Sequence, residues 1–152
     1  MNQFYTAVQI MTPERFSILK KTLDYRQPDL TVITDQVHKQ RNLSAIMRSC
    51  DAYGVPEIHT RRADDLRTFA GVAAGAQKWV KIVRHDSIEE GIRFLQNDKK
   101  MKVYAAHLSN EAIPYQEIDF TQPTAILMGS ELEGVSDVAA EACDGHIIIP
   151  MV

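Results

Sequence analysis

Two glutamates set between two glycines are the first residues with chemical potential in this chain. In ILMGSELEGVS, residues 126–136, an apolar run reaches Gly129, and Glu131 and Glu133 follow before Gly134. The glycines permit positive φ and close approach of a ligand to the backbone, and Ser136 can cap a helix beyond them. Such a loop can hold a bound group against main-chain N–H donors. It matches neither G-x-G-x-x-G nor G-x-x-x-x-G-K-[ST] and lacks the lysine of a triphosphate site. The two carboxylates stand two apart, a spacing that on an irregular loop does not assemble the carboxylate pair of a glycoside hydrolase.

A second constellation lies in NLSAIMRSCDAYG, residues 42–54. Successive helical side chains turn by about 100°, so Arg41, Ala45, Arg48 and Ala52 fall opposite the stripe Leu43, Ile46, Met47, Cys50 and Tyr53. Two guanidinium forks beside small alanines suit either an RNA phosphate or a second subunit. An ordinary solvated face has the same pattern. Asn42 reads as the helix cap and Gly54 as its close.

The elements that must position these residues alternate. Thr12-Pro13-Glu14 starts a helix in which Phe16, Leu19 and Leu23 recur at helical spacing. LTVITDQV (30–37), EIHT (57–60), WVKIV (79–83), MKVYAAHL (101–108), TAILMG (124–129) and HIIIP (146–150) read as strands, and Pro114 marks a turn. SIEEGIRFLQND (87–98) is a helix opened by a capping box of Ser87 and Glu90, and Ser136 starts a last helix through Ala142. The stretch 68–77 is rich in small residues and predicts close packing. The fold class is therefore α/β, a mostly parallel sheet flanked by helices, with ligands expected beyond the carboxyl ends of the strands, where the 108–115 and 129–136 loops lie.

Composition bounds the rest. With 152 residues, 45% hydrophobic and 24% charged, the chain suits one domain. No membrane span or secretory signal is readable, so a cytoplasmic protein is expected. Cys50 and Cys143 read as reduced packing residues, and the five histidines show no ligand spacing, so no metal is expected. The net charge of −3 hides an asymmetry: residues 36–85 carry nine Lys or Arg against four acids, whereas 110–152 carry eight acids and no Lys or Arg. A basic face for phosphates or two solvated faces of opposite sign would both look like this. Within the basic stretch Arg41, Arg61 and Arg62 are the candidate RNA contacts.

Taken in order, NLSAIMRSCDAYGV, LMGSELEGVS and IIIPM resemble the three motifs of the SpoU (TrmH) family of RNA 2′-O-ribose methyltransferases, within the SPOUT superfamily. The resemblance runs from about residue 11 to the end, with residues 1–10 as an N-terminal extension. YRQPDLTVITDQVHKQRNLSAIMRSCDAYGV is similar to the members that methylate the D-loop guanosine 18 of tRNA.

The resemblance implies catalytic roles for Asn42, Arg48 and Glu131. It implies S-adenosylmethionine contacts at Ala106, His107, Leu108, Gly129, Gly134, Ile149, Pro150 and Met151, with no metal, a homodimer, and tRNA as partner. Ala106 stands where a related enzyme has threonine, so a hydroxyl contact there is lost. In the family the third motif continues through a glycine to Ser-Leu-Asn, and the following segment closes the cofactor pocket as a trefoil knot. Here the sequence stops at Val152. The expectation is thus a knot-type α/β domain, 11–152, lacking its C-terminal knot segment. Two further readings stay open: an RNA-binding remnant without turnover, and an rRNA-directed enzyme with the same motifs. A generic nucleotide-binding α/β protein is disfavoured by its missing phosphate fingerprint. A guanidinium releases its proton only above about pH 12, so Arg48 is expected to hold phosphate and stabilise the alkoxide, while Glu131 orients Asn42 or Arg48.

Overall fold

Seven short strands, all parallel, form the sheet of this computed structural model, which describes residues 11–37, 39–61 and 75–151. In chain order they are β1 Leu30–Thr34, β2 Glu57–Arg61, β3 Lys81–His85, β4 Lys102–Ala106, β5 Ile113–Pro114, β6 Thr124–Met128 and β7 Gly145–Ile148. The helices are α1 Pro13–Asp24, α2 Gln40–Ala52, α3 Ile88–Asn97 and α4 Asp137–Ala142. The expected extension 1–10, Arg62 and most of the small-residue stretch lie outside the described residues. Its end, Ala76–Lys78, is a 3-10 turn.

Side chains alternate across a strand, so neighbours serve opposite faces. Val32 and Ile58 pack with Leu43, Met47 and Cys50 of α2. Ile33, Val103, Ala105, Ala125 and Leu127 pack on the other face with Ile88, Ile92 and Leu95 of α3 and Ala139 of α4. A sheet buried on both faces is what a parallel arrangement with crossover helices requires.

The strand order is β3-β2-β1-β6-β4-β7-β5. The first three strands run outward one way and the later ones lie on the other side, so the centre is where β1 meets β6. Because every pair is parallel, the carboxyl ends of β1, β6, β4 and β7 share one rim. The loops 35–39, 129–136 and 107–112 and the residues after Ile148 leave from it.

Local signals locate several boundaries. Thr12 Oγ1 accepts from Arg15 N–H, Ser87 Oγ from Glu90 N–H and Ser136 Oγ from Ala139 N–H, as their positions predict. The reach-back of Glu90 goes to the N–H of Asp86, one residue before the cap. Gly54, at φ +77°, closes α2: its N–H donates to Asp51 and that of Val55 to Cys50, a Schellman pair.

Other expectations need correction. The strand predicted over 30–37 stops at Thr34, because Gln36 turns into positive φ (+55°). Asn42 does not cap α2; the helix begins at Gln40 with Lys39 at the cap position and no side-chain cap bond, which frees the Asn42 side chain for the rim. Tyr53 leaves the buried stripe and is 73% exposed. Pro114 is not merely a turn, since β5 pairs with β7 at the sheet edge, where a residue without an N–H is tolerated. The third strand starts at Lys81, after the 3-10 turn has used Trp79 and Val80 N–H groups. The apolar positions of α1 form as predicted but bury nothing. Cys50 and Cys143 are free thiols, and burial pushes their pKa values up to about 11 and about 12.

Candidate active site at the sheet rim

The glycine-flanked loop is cinched at its base. Ser130 N–H donates to the Gly134 carbonyl (2.8 Å), and Gly134 N–H returns to that of Ser130 (3.0 Å). Glu133 N–H donates to Ser130 Oγ (3.0 Å), and Gly134 sits at φ +71°. A Cβ on Gly129 would run into the Gly134 carbonyl, so both glycines are required for closure rather than for ligand access alone. The closure lifts Glu131, Leu132 and Glu133 to the tip.

The loop after β1 meets that tip. Lys39 Nζ lies 2.6 Å from Glu131 Oε2, and the Asn42 side chain also donates to Glu131. The Lys39 hydrogen bond, then that of Asn42, holds the Glu131 carboxyl below the usual range, so it stays ionised. These residues, with Gln36, Val37, Ser130, Leu132 and Glu133, line a cavity of about 140 Å³. Residues some ninety positions apart thus converge where β1 and β6 end side by side, the topological position at which open α/β sheets bind ligands.

Arg48 is placed differently. It is exposed on the outer face of α2 with Arg41, Ala45 and Ala52, as the helical wheel predicts. It lines a separate hollow of about 540 Å³ with Ala45, Ser49, Asp51, Ala52, Tyr53 and Ala76. Among the described residues no hydrogen bond or ion pair joins Arg48 to Glu131. Of the two partners expected for that carboxylate, only Asn42 reaches it within one chain. Arg61 ends β2 on the same rim and is half-buried.

The positions expected to face a cofactor fall on neighbouring strands. Ala106 ends β4 and is exposed, His107 follows with its ring edge-on to His146 at 5.2 Å, and Leu108 is 85% exposed. Gly129 follows β6, while Ile149 (71% exposed), Pro150 and Met151 (91% exposed) follow β7. Large apolar side chains left bare along one rim suit the adenosyl group and the methylene arm of a sulfonium cofactor, so the residues present fit S-adenosylmethionine.

Sequence reasoning missed two things. Lys39 carries no local signal for its contact with Glu131, which depends on the pairing of β1 with β6. The tie that anchors the 107–112 loop had no local signal: Ser109 Oγ lies 2.7 Å from His146 Nδ1, and His146 Nε2 donates to the Ala140 carbonyl (3.2 Å).

Comparison with known proteins bears on the family and the fold. The model of the SpoU rRNA Methylase family matches residues 29–152. The tRNA (guanosine(18)-2′-O)-methyltransferase of Escherichia coli K12 is 43% identical over 143 residues, which cover 93% of this chain and 62% of that protein. The chain therefore spans less than two thirds of that relative's length. The crystal structure of the A. aeolicus TrmH/SpoU tRNA modifying enzyme superposes with a TM-score of 0.79 at 35% identity, over 91% of this chain and 71% of that one. The SpoU methyltransferase AviRb from Streptomyces viridochromogenes, solved in complex with AdoMet, gives 0.72 at 25% identity, over 87% and 52%.

Proposed function

We propose, since this chain belongs to the SpoU rRNA methylase family, that it carries the catalytic rim of an S-adenosylmethionine-dependent RNA 2′-O-ribose methyltransferase acting on guanosine 18 of tRNA. The observation that carries the reading is the convergence of Lys39, Asn42 and Glu131 at the carboxyl ends of β1 and β6. The substrate follows the activity for which the E. coli relative is named, and the cofactor follows the AdoMet complex of the AviRb neighbour.

When bound, the cofactor supplies an electrophilic methyl group on a sulfonium. The chain's own residues have two tasks, to hold the 2′-hydroxyl in line and to favour loss of its proton. Glu131, ionised beside Lys39, fixes the Asn42 amide, whose remaining hydrogen-bonding capacity is directed at the ribose. Arg48 pairs with the phosphate next to that ribose and stabilises the oxygen as it becomes anionic, and the phosphate accepts the proton, because a guanidinium is a poor base. Leu108, Ile149 and Met151 form the apolar wall of the cofactor pocket, with Ala106, His107 and Pro150 beside them and Gly129 and Gly134 closing it. Arg41, Arg61 and Arg62 contribute positive charge to the RNA track. The separation of Arg48 from Glu131 favours a homodimer in which two chains complete one site. The protein acts in the cytoplasm, where tRNA is modified.

The test is incubation of the full-length protein with labelled S-adenosylmethionine and unmodified tRNA, followed by mapping of the methylated ribose. Label at guanosine 18 is expected, and absence of 2′-O-methyl product in any RNA would remove the reading. Arg48→Ala should lower turnover by about a hundredfold or more while cofactor affinity stays nearly unchanged.

A further inference from the structure

Asp35 is the first residue after β1 and is completely buried. Its backbone N–H donates to the carbonyl of Met128 (2.8 Å), the last residue of β6. Its Oδ2 accepts from the N–H of Ser136 (2.9 Å), the residue that caps α4. One aspartate therefore grips both ends of the segment 129–135 that carries Glu131. Its second oxygen, Oδ1, has no hydrogen-bond partner among the described residues.

A buried carboxyl carries a desolvation cost that an apolar side chain of similar shape would avoid. What an apolar residue could not do is accept the Ser136 N–H. The Ser130–Gly134 pair closes the loop on itself but leaves its orientation to the strand it leaves, β6, and the helix it enters, α4. The Asp35–Ser136 bond ties the far end of the loop to β1, the strand whose next residues lead to Lys39 and Asn42.

We propose that Asp35 is a positioning residue for methyl transfer: it sets the Gly129–Ser136 loop so that Glu131 stays within reach of Lys39 and Asn42. The inference rests on the function proposed above. It touches neither ribose nor cofactor, and its effect runs through Glu131.

The test uses the full-length protein, S-adenosylmethionine and unmodified tRNA. Asp35→Leu keeps the side-chain outline and removes the acceptor, and should lower kcat by about tenfold to a hundredfold, the penalty expected for a misplaced catalytic group. Asp35→Asn keeps an acceptor for Ser136 and should recover most of that loss. In an E131Q background Asp35→Leu should lower kcat no further, because the residue it positions has already been changed. Unchanged kcat in Asp35→Leu, or losses that multiply in full in the double variant, would overturn the assignment. If Asp35→Leu does not fold, Ser136 gives the same comparison from the donor side: Ser136→Ala loses the cap hydroxyl but keeps the N–H, whereas Ser136→Pro loses both at a φ of −65° that proline accepts. Proline should be slower than alanine, and the difference should vanish with E131Q; its persistence would refute the role. A wild-type protein inactive on all RNA would instead refute the proposed function.

Discussion

Lowering pH should loosen one side of the sheet well before the carboxylates titrate. His59 on β2 is fully buried, with Nδ1 2.9 Å from His85 Nε2 on β3 and its ring stacked on that of His85 at 5.2 Å. Phe94 of α3 covers both rings. Glu57 Oε1 stands 3.5 Å from His59 Nε2, which favours the tautomer with the proton there and makes His85 the donor in the pair. Burial is the largest influence and pushes the His59 pKa down to about 4, with Glu57 opposing and His85 and Lys99 assisting. His85 is lowered as well, chiefly by burial, against Glu90 and Asp86.

In the unfolded chain a histidine titrates near 6.5, so below that pH the unfolded state takes up a proton that native His59 refuses until about pH 4. Stability is therefore full above the unfolded value and falls as pH drops through this window, by about 3 kcal/mol in total. Urea unfolding of wild type between about pH 7 and about pH 4.5 should show most of this decline. His59→Asn should be less stable near neutrality but much flatter over the same range. An identical decline in the variant would refute the account and move the acid sensitivity elsewhere.

Three further outcomes are expected. Gly129→Ala forces its Cβ against the Gly134 carbonyl, so it should lower stability by about 1–3 kcal/mol in urea melts and suppress methyl transfer as the Ser130–Gly134 pair opens. Asp144 accepts from Val103 N–H (2.9 Å), Gln96 Nε2 (3.0 Å) and Lys102 Nζ (3.2 Å), and Asp144→Ala should lower stability by about 1–3 kcal/mol. Its carboxyl is held below the ordinary range, with those bonds outweighing burial, so the wild-type advantage is present above about pH 4 and shrinks as pH falls through the lowered folded value. Lys39→Met should leave the melting temperature unchanged while the Glu131 carboxyl rises toward its ordinary value, readable by NMR titration.

Much of the architecture was legible because its signals are local. Hydroxyl caps at Thr12, Ser87 and Ser136 act within three residues, and Gly54 ends its helix through bonds to Asp51 and Cys50. The helical wheel that put Arg48 on the outer face of α2 needed only the 100° turn. Strand ends were less readable, since a left-handed residue such as Gln36 carries no pattern of its own. The site was legible only in its ingredients. Lys39 and Glu131 are 92 residues apart, and their meeting depends on the β1–β6 pairing rather than on spacing. The same pairing brings Asn42, a cap by its local pattern and a partner of Glu131 by the family resemblance, to Glu131.

The central seam also governs how the molecule is born. Leu30 is synthesised ninety-four residues before Thr124, the residue it aligns with. At cellular translation speeds that interval is roughly five to twenty seconds, during which one flank of the earliest strand shows the ribosome's surroundings a row of unsatisfied amides. Among the described residues β2 pairs with the opposite flank, and β6 is the strand that pairs with this one. Nascent chains stalled before residue 124 should therefore recruit holdase chaperones or pair with one another, and release past β6 should end both.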